Sequence, residues 1–235
     1  MRTKAFLIIL LLAGVLVSLR PAPDGRIASV VIDPKATPIT MYWADDSGKA
    51  LGNIGRLKAL VEAKGRRLRF AMNGGMYMED LRPLGLYMEN GRTVRKLITA
   101  TKGYGNFYMQ PNGVFSVANG TAAIFPTAKA GNLEATGCAT QSGPMLVVNG
   151  AINPAFKPGS TNVHIRNGVG ILTNGHAVFA ISRVPVNLHD FALFFQQQGC
   201  ANALFLDGAI SKAFMPEQGL RQLDGMLGPL IAVVE

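Results

Sequence analysis

The chain has 235 residues, 49% of them hydrophobic and 16% charged, with 27 glycines and a formal net charge of +9. That length suits one domain and that hydrophobic share supplies a core, which excludes an intrinsically disordered chain. The positive charge is scattered, with one cluster at Lys64, Arg66, Arg67 and Arg69, so no basic stripe interleaved with aromatics points to nucleic acid.

The N-terminus reads as a targeting segment. Arg2 and Lys4 precede an apolar run from Ala5 to Leu19, interrupted only by Ser18 and closed by Arg20, Pro21 and Pro23. This is the layout of a secretory signal. Residues 1–22 are therefore expected to be a signal peptide or an N-terminal anchor, with a domain over 24–235. Export places that domain in the periplasm or outside the cell. If residues 5–19 are retained, they associate the protein with the inner membrane. Removing Arg2, Lys4 and Arg20 from the 23 basic residues leaves 20 against 14 acidic ones. An anionic envelope surface or polymer is a fitting partner for that balance.

Extended runs follow at Ile27–Asp33 and Pro38–Trp43. Leu51, Ile54, Leu57, Leu60 and Val61 recur with a helical period that Gly65 stops. Leu68–Met72 is a short strand ending at Asn73-Gly74-Gly75. The dipeptide Asn-Gly then recurs at 90, 112, 119, 149, 167 and 174. Both residues tolerate positive φ, so the dipeptide between apolar runs predicts hairpins. One is expected between Val114–Ala118 and Ala122–Phe125. Another turn follows Met145–Val148. Val163–Arg166, Val169–Thr173 and His176–Ser182 are expected to meander through turns at 167 and 174.

A second helix is expected over Leu188–Gln198, with Asn187 as cap, Asp190 completing a capping box and Gly199 ending it. Ala203–Leu206 is a short apolar strand that delivers Asp207 to its carboxyl end, and Leu230–Val234 is a last strand. Together these elements predict an α/β chain of the mixed α+β kind. It has strand-rich mixed sheets with hairpins, two or more packed helices and a single domain.

Cys138 and Cys200 are the two cysteines. In an oxidising compartment they are expected to form a disulfide; two buried free thiols are the alternative. His164, His176 and His189 lack any close ligand spacing, so no zinc site is expected.

Two strand ends carry the most chemistry. Asp207, followed by Gly208, can act as a base, attack a carbon centre, hold a divalent metal or cap its own turn. Asn73 with Gly74 and Gly75 can present backbone N–H groups to an anion or simply satisfy a loop. Gln141 and Ser142 suit ligand hydrogen bonding, although Ser142 lacks the flanks of a nucleophile elbow. Strand alternation puts His164 and Arg166 on one side, where a guanidinium can bind phosphate bidentately or face solvent.

Six segments in order extend the pattern. They are Met72-Asn73-Gly74-Gly75-Met76-Tyr77, Arg82-Pro83-Leu84-Gly85-Leu86, Gly105-Asn106-Phe107-Tyr108 leading to Pro111-Asn112-Gly113-Val114-Phe115, Gln141-Ser142-Gly143-Pro144-Met145-Leu146, Arg166-Asn167-Gly168-Val169-Gly170-Ile171, and Asn202-Ala203-Leu204-Phe205-Leu206-Asp207-Gly208. The chain in this respect resembles the phosphodiester glycosidase family, whose best-known relative is the lysosomal uncovering enzyme, and within it a bacterial periplasmic branch. The resemblance implies hydrolysis of a sugar 1-phosphodiester in one polar cleft, acting on a glycan or sugar-phosphate molecule or polymer. It assigns Arg166 to the phosphate oxygens, with backbone N–H groups near Gly74 and Gly75. Asp207 would act at the anomeric carbon or on water. Asn73, Gln141 and Ser211 would meet sugar hydroxyls or orient the carboxylate, with Ser142, His164 and Gly208 also lining the cleft. Glu79 and Asp80 are candidates for an acid if one is needed. No cofactor is implied, and a divalent metal at Asp207 stays open. Where many members read Asp-Gly-Gly-Gly-Ser, this chain has Asp207-Gly208-Ala209-Ile210-Ser211. A non-catalytic glycan or phosphate-polymer binder and a metal-assisted hydrolase are therefore the alternatives.

Overall fold

In a computed structural model, residues 25–131, 133, 137–207 and 210–235 are described. They form a mixed α+β domain of three sheets and two α-helices, and every described strand pairing is antiparallel. The signal-or-anchor reading of residues 1–22 lies outside the described residues. Among those described, no helix is long and apolar enough to cross a membrane.

The first sheet has six strands in the order Ile27–Ile32, Ala177–Ser182, Asn167–Leu172, Cys200–Asp207, Met145–Val148 and Ala151–Ile152. The second has Leu68–Asn73 at its centre, between Ala213–Met215 and Leu230–Val234. The third is built on Cys138–Ser142, flanked by Tyr87–Glu89 and Gly113–Ala118. One apolar cluster joins all three, drawing Val169, Phe179 and Leu204 from the first, Phe70, Met72 and Ile231 from the second, and Tyr87 and Phe115 from the third. Phe179 is where they meet. Its ring lies 5.0 Å from Phe70 and 5.8 Å from Phe115, the spacing of tilted and edge-on aromatic pairs.

The helices cover outer faces. Helix α1 (Ile54–Ala63) starts at Asn53, whose side chain accepts from Arg56 N, and buries Ile54, Leu57 and Val61. Helix α2 (Leu188–Gln197) starts at Asn187, which accepts from Asp190 N, and buries Phe191, Ala192, Phe194 and Phe195. It lies close on the first sheet because Gly168 and Gly170 leave room. A Cβ on Gly170 would stand 2.6 Å from Cys200 Sγ and 2.7 Å from Phe195, and one on Gly168 would stand 2.8 Å from Leu204 O.

Six of the seven Asn-Gly dipeptides divide into two kinds, and Asn174, exposed in a turn, belongs to neither. Asn90, Asn119 and Asn149 have φ of 51°, 50° and 49°, each followed by a glycine of positive φ; these are the expected tight hairpin turns. Asn73, Asn112 and Asn167 are instead buried. The expected turn at 167 is not formed: Asn167 opens the strand Asn167–Leu172. Nor is Val163–Arg166 a strand; that stretch holds one isolated bridge, His164 to Val186.

The expected Cys138–Cys200 disulfide is also corrected, since both are free and buried. Cys138 sits in the cluster between the sheets and Cys200 in the cluster under α2. Burial pushes each thiol up to about 12, which keeps both protonated and unreactive.

Candidate active site around Asp207

Asp207 ends the longest strand of the first sheet, and a register shift directs it. Asn167 pairs with Asp207 but Gly168 pairs with Phe205, leaving Leu206 extra. Such a bulge re-aims the side chains beyond it. The carboxyl group of Asp207, a residue 7% exposed, meets Asn73 at the end of the central strand of the second sheet. Asn73 Nδ2 donates to Asp207 Oδ2 at 3.2 Å and to Ile210 O at 2.8 Å.

Asn73 has all its amide capacity engaged. Its Oδ1 accepts from Asn167 Nδ2 at 3.0 Å and from Lys212 N at 2.9 Å. Asn167 is fully engaged as well. Its Nδ2 also donates to Asn73 O at 2.7 Å, and its Oδ1 accepts from Asp207 N at 2.9 Å. Ser211 Oγ lies 2.9 Å from Asp207 O and 3.1 Å from Ile165 O. From the third sheet, Ser142 Oγ donates to Leu206 O at 2.8 Å. The strand that carries Asp207 is thus held from both sides by buried amides and hydroxyls, and each of these contacts is local to its last two residues. Buried polar groups satisfied in this way fix one geometry.

Tyr77 completes the surroundings. Burial, and then the nearby charge of Asp207, push its phenol up to about 12, so it stays a neutral donor at ordinary pH. Its hydroxyl donates to Met226 O.

The structure therefore brings together Asn73, Asp207 and Ser211, with Ser142 behind them. Gly208 lies outside the described residues, as does Ala209. Other expected site residues are placed differently. Gly74 N–H donates to Pro229 O at 2.7 Å, so it is not offered to an anion. A Cβ on Gly74 or Gly75 would collide with Ile231 or Thr140, and close packing explains both glycines. Gln141 pins the backbone at Leu86 and Ile98, through Oε1 from both amides and Nε2 to Ile98 O; its amide is a brace, not a ligand group. His164 is exposed, and its backbone bridges Val186. Asp80 is exposed and tied to Arg82, whose backbone N–H, foremost, holds the carboxyl below its ordinary range. It is a poor proton donor, and Glu79 beside it is exposed too.

Arg166 is buried, not on a solvated face with His164. Its guanidinium lies 5.4 Å over the Phe205 ring. Nε donates to Val186 O and Nη2 to Asn162. Burial lowers its pKa to about 10, which leaves it a cation at neutral pH.

Sequence reasoning missed Asn167 and Tyr77. Asn167 was visible only as one more Asn-Gly pair. Tyr77 stood in the Asn73 segment with no sign that the chain near Met226 would fold onto it. Among the described residues no three His, Cys, Asp or Glu side chains gather; the groups around Asp207 are amides, hydroxyls and a phenol.

Comparison with known proteins gives concordant findings. A family model described as phosphodiester glycosidase matches residues 66–225. An uncharacterized protein of Escherichia coli strain K12, YigE, is 38% identical over 194 residues, which cover 82% of this chain and 76% of that protein. The catalytic domain of zebrafish N-acetylglucosamine-1-phosphodiester alpha-N-acetylglucosaminidase, auto-inhibited by its pro-peptide, has a TM-score of 0.53 at 17% identity over 92% of this chain and 85% of that one. A hypothetical protein from Synechocystis has a TM-score of 0.52 at 18% identity; 88% of this chain is covered, against 59% of that longer chain. At such identities the two solved structures show a shared fold.

Proposed function

Because this chain belongs to the phosphodiester glycosidase family, we propose that it hydrolyses a glycosyl-1-phosphodiester in the cell envelope, with Asp207 as its central catalytic group. The supporting observation is the buried Asp207 carboxylate, held at a strand end by Asn73 Nδ2 while Asn167 fixes its backbone N–H. A carboxylate hydrogen-bonded by fixed neutral amides keeps its aim.

In this reading the bond between the anomeric carbon and the phosphate oxygen breaks, and the electron pair leaves with the phosphate. Positive charge develops on the sugar ring, and Asp207 stabilises it, either by attacking the carbon or by taking a proton from the incoming water. The products are a free sugar and a phosphate monoester. A phosphate is a good leaving group, so it is no obstacle that Asp80, held below its ordinary range, has no proton to give and that Tyr77 is a weak acid. Ser211 and the Asn73–Asn167 pair hold Asp207, Ile210 and Lys212 in place, and Ile210, 40% exposed, would limit the sugars admitted.

The deciding experiment is Asp207→Asn assayed on glycosyl-1-phosphodiesters. Turnover is expected to vanish while circular dichroism and the melting transition stay those of a folded domain. Turnover at the wild-type rate would remove Asp207 from the chemistry.

A further inference from the structure

Lys212 directly follows Ser211, and the family resemblance gives it no role. Its backbone is fixed to the residue that orients the Asp207 carboxylate. Lys212 N donates to Asn73 Oδ1 at 2.9 Å, and Asn73 N donates to Lys212 O at 3.3 Å. Among the described residues no other lysine or arginine is hydrogen-bonded to Asn73 or Asn167. One cation is therefore anchored, by its main chain, at the amide that holds the carboxylate.

The ammonium is held more loosely than the backbone. Nζ lies 3.2 Å from Asp224 Oδ1 and 3.3 Å from Asp224 Oδ2. The Asp224 side chain is 78% exposed and that of Lys212 is 28% exposed. An ion pair open to water on one side is weak and screened by salt. The stem of Lys212 rests against bare backbone, since a Cβ on Gly225 would stand 3.6 Å from its Cγ and 3.7 Å from its Cε.

The segment that carries Asp224 also reaches the other side of the site. Tyr77, close enough to Asp207 to feel its charge, donates to Met226 O. Gly228 packs on the Tyr77 ring so closely that a Cβ there would collide with it. Residues 224–228 thus run from Lys212 to Tyr77, and the acid that holds Lys212 belongs to the surroundings of Asp207.

A glycosyl-1-phosphodiester carries its negative charge on the phosphate, next to the bond that breaks. We propose that Lys212 is a specificity-determining residue that selects this charge, its ammonium leaving Asp224 for a phosphate oxygen of the bound diester. This rests on the hydrolase reading above and adds a substrate contact to it. Asp224 is then a competitor, which keeps the cation in place until the anion arrives. Lysine suits such an exchange, because its ammonium is a point charge with rotatable donors on a flexible stem. A neutral glycoside offers it nothing.

The test lies in the sign of two substitutions. Lys212→Gln and Asp224→Asn both break the ion pair. If the pair only ties down residues 224–228, the two act alike on every substrate; in the proposed role they act in opposite directions. Each is assayed at low ionic strength on a glycosyl-1-(methyl phosphate) and on the neutral nitrophenyl glycoside of the same sugar. Lys212→Gln should lower kcat/KM for the diester about tenfold, mainly through KM, with the neutral glycoside unaffected. Lys212→Arg should recover most of the loss. Asp224→Asn should lower KM for the diester by about two- to threefold. Parallel effects of the two substitutions, equal losses on both substrates, or an unchanged kcat/KM in Lys212→Gln would overturn the proposal. Calorimetric titration of Asp207→Asn with the same two ligands, alone and combined with each substitution, reads the same signs without turnover. If wild type turns over no diester while Lys212→Gln weakens and Asp224→Asn tightens its binding, the hydrolase reading alone falls. If no diester is turned over or bound, both fall.

Discussion

Asn73 Nδ2 donates to Asp207 Oδ2 at 3.2 Å, across 134 residues of chain and between two different sheets. The contact is specific in direction, because Asn73 Oδ1 is already held by Asn167 Nδ2 and Lys212 N. Only the amide nitrogen can face the carboxylate.

Asn73→Asp tests that direction. The variant keeps the acceptors for Asn167 and Lys212 but loses both donors and sets a second carboxylate against Asp207. A buried like-charge pair raises the pKa of at least one member. A folded-state pKa raised above the unfolded value contributes stability that is complete at low pH and lost as pH rises through it. Urea unfolding should therefore show a deficit of about 2 kcal/mol at neutral pH that shrinks toward pH 4. A deficit that grew on acidification would contradict the arrangement.

Asn167→Ala acts on the same carboxylate through the backbone. It removes the acceptor for Asp207 N and both donors to Asn73. Misplacing a reacting group by about 1 Å costs on the order of 10²-fold in rate. Steady-state kinetics on a glycosyl-1-phosphodiester should show kcat falling by about that factor with KM little changed. A change confined to KM would make Asn167 a binding group instead.

Much of this was legible in the sequence, and the exceptions have one physical origin. Both α-helices were readable because their signals are local: apolar residues recur every third or fourth position before Gly65 in the first, and Asn187, Asp190 and Gly199 bracket the second. The place of Asp207 at a strand end was readable because a short apolar run leads into it. Asn167 was not, since Asn-Gly serves a tight turn at 119 and a strand start at 167 equally well. The choice at 167 depends on Phe191 and Leu146 packing over Gly168, which no local window contains. Arg166 was grouped with the exposed His164 for a related reason. Alternation predicts sides only within a regular strand, and Val163–Arg166 is an irregular segment with one bridge. The two cysteines were expected to pair from compartment alone, whereas burial in separate clusters is a property of the fold.

Gly170→Ala probes how closely α2 rests on the first sheet. The added methyl would meet Cys200 Sγ at 2.6 Å and Phe195 at 2.7 Å. Overpacking of this kind costs about 1–3 kcal/mol. Thermal unfolding should shift down by roughly 2–4 °C for each kcal/mol at this chain length. An unchanged Tm would mean that α2 slides to accept the methyl.

Alkaline stability follows from Tyr77. Its phenol titrates at about 12 instead of 10.0, burial being the larger cause and Asp207 the second. A folded-state pKa above the unfolded one gives stability that is complete below pH 10 and is lost as pH climbs toward 12. Tyr77→Phe removes this ionisation, so its unfolding free energy should fall less steeply over that window than that of wild type. Asp207→Asn should bring the phenol absorbance titration partway back toward 10.0, leaving the burial contribution. No movement in that titration would separate Tyr77 from Asp207.

Chelation distinguishes a carboxylate mechanism from a metal-assisted one. Hard divalent cations gather several oxygen ligands, carboxylates foremost. Among the described residues Asn73, Asn167 and Ser211 hold Asp207, and the amide oxygens of both asparagines already accept from Asn167, Lys212 and Asp207. Coordinating an ion through them would break those bonds and release the segment that carries Ser211. Exhaustive dialysis against a chelator should therefore leave diester turnover and Tm unchanged. Activity lost on dialysis and restored by adding back a divalent ion would move the chemistry to a metal held by Asp207, and the roles of Asn73 and Asn167 would change from orienting the carboxylate to orienting that ion.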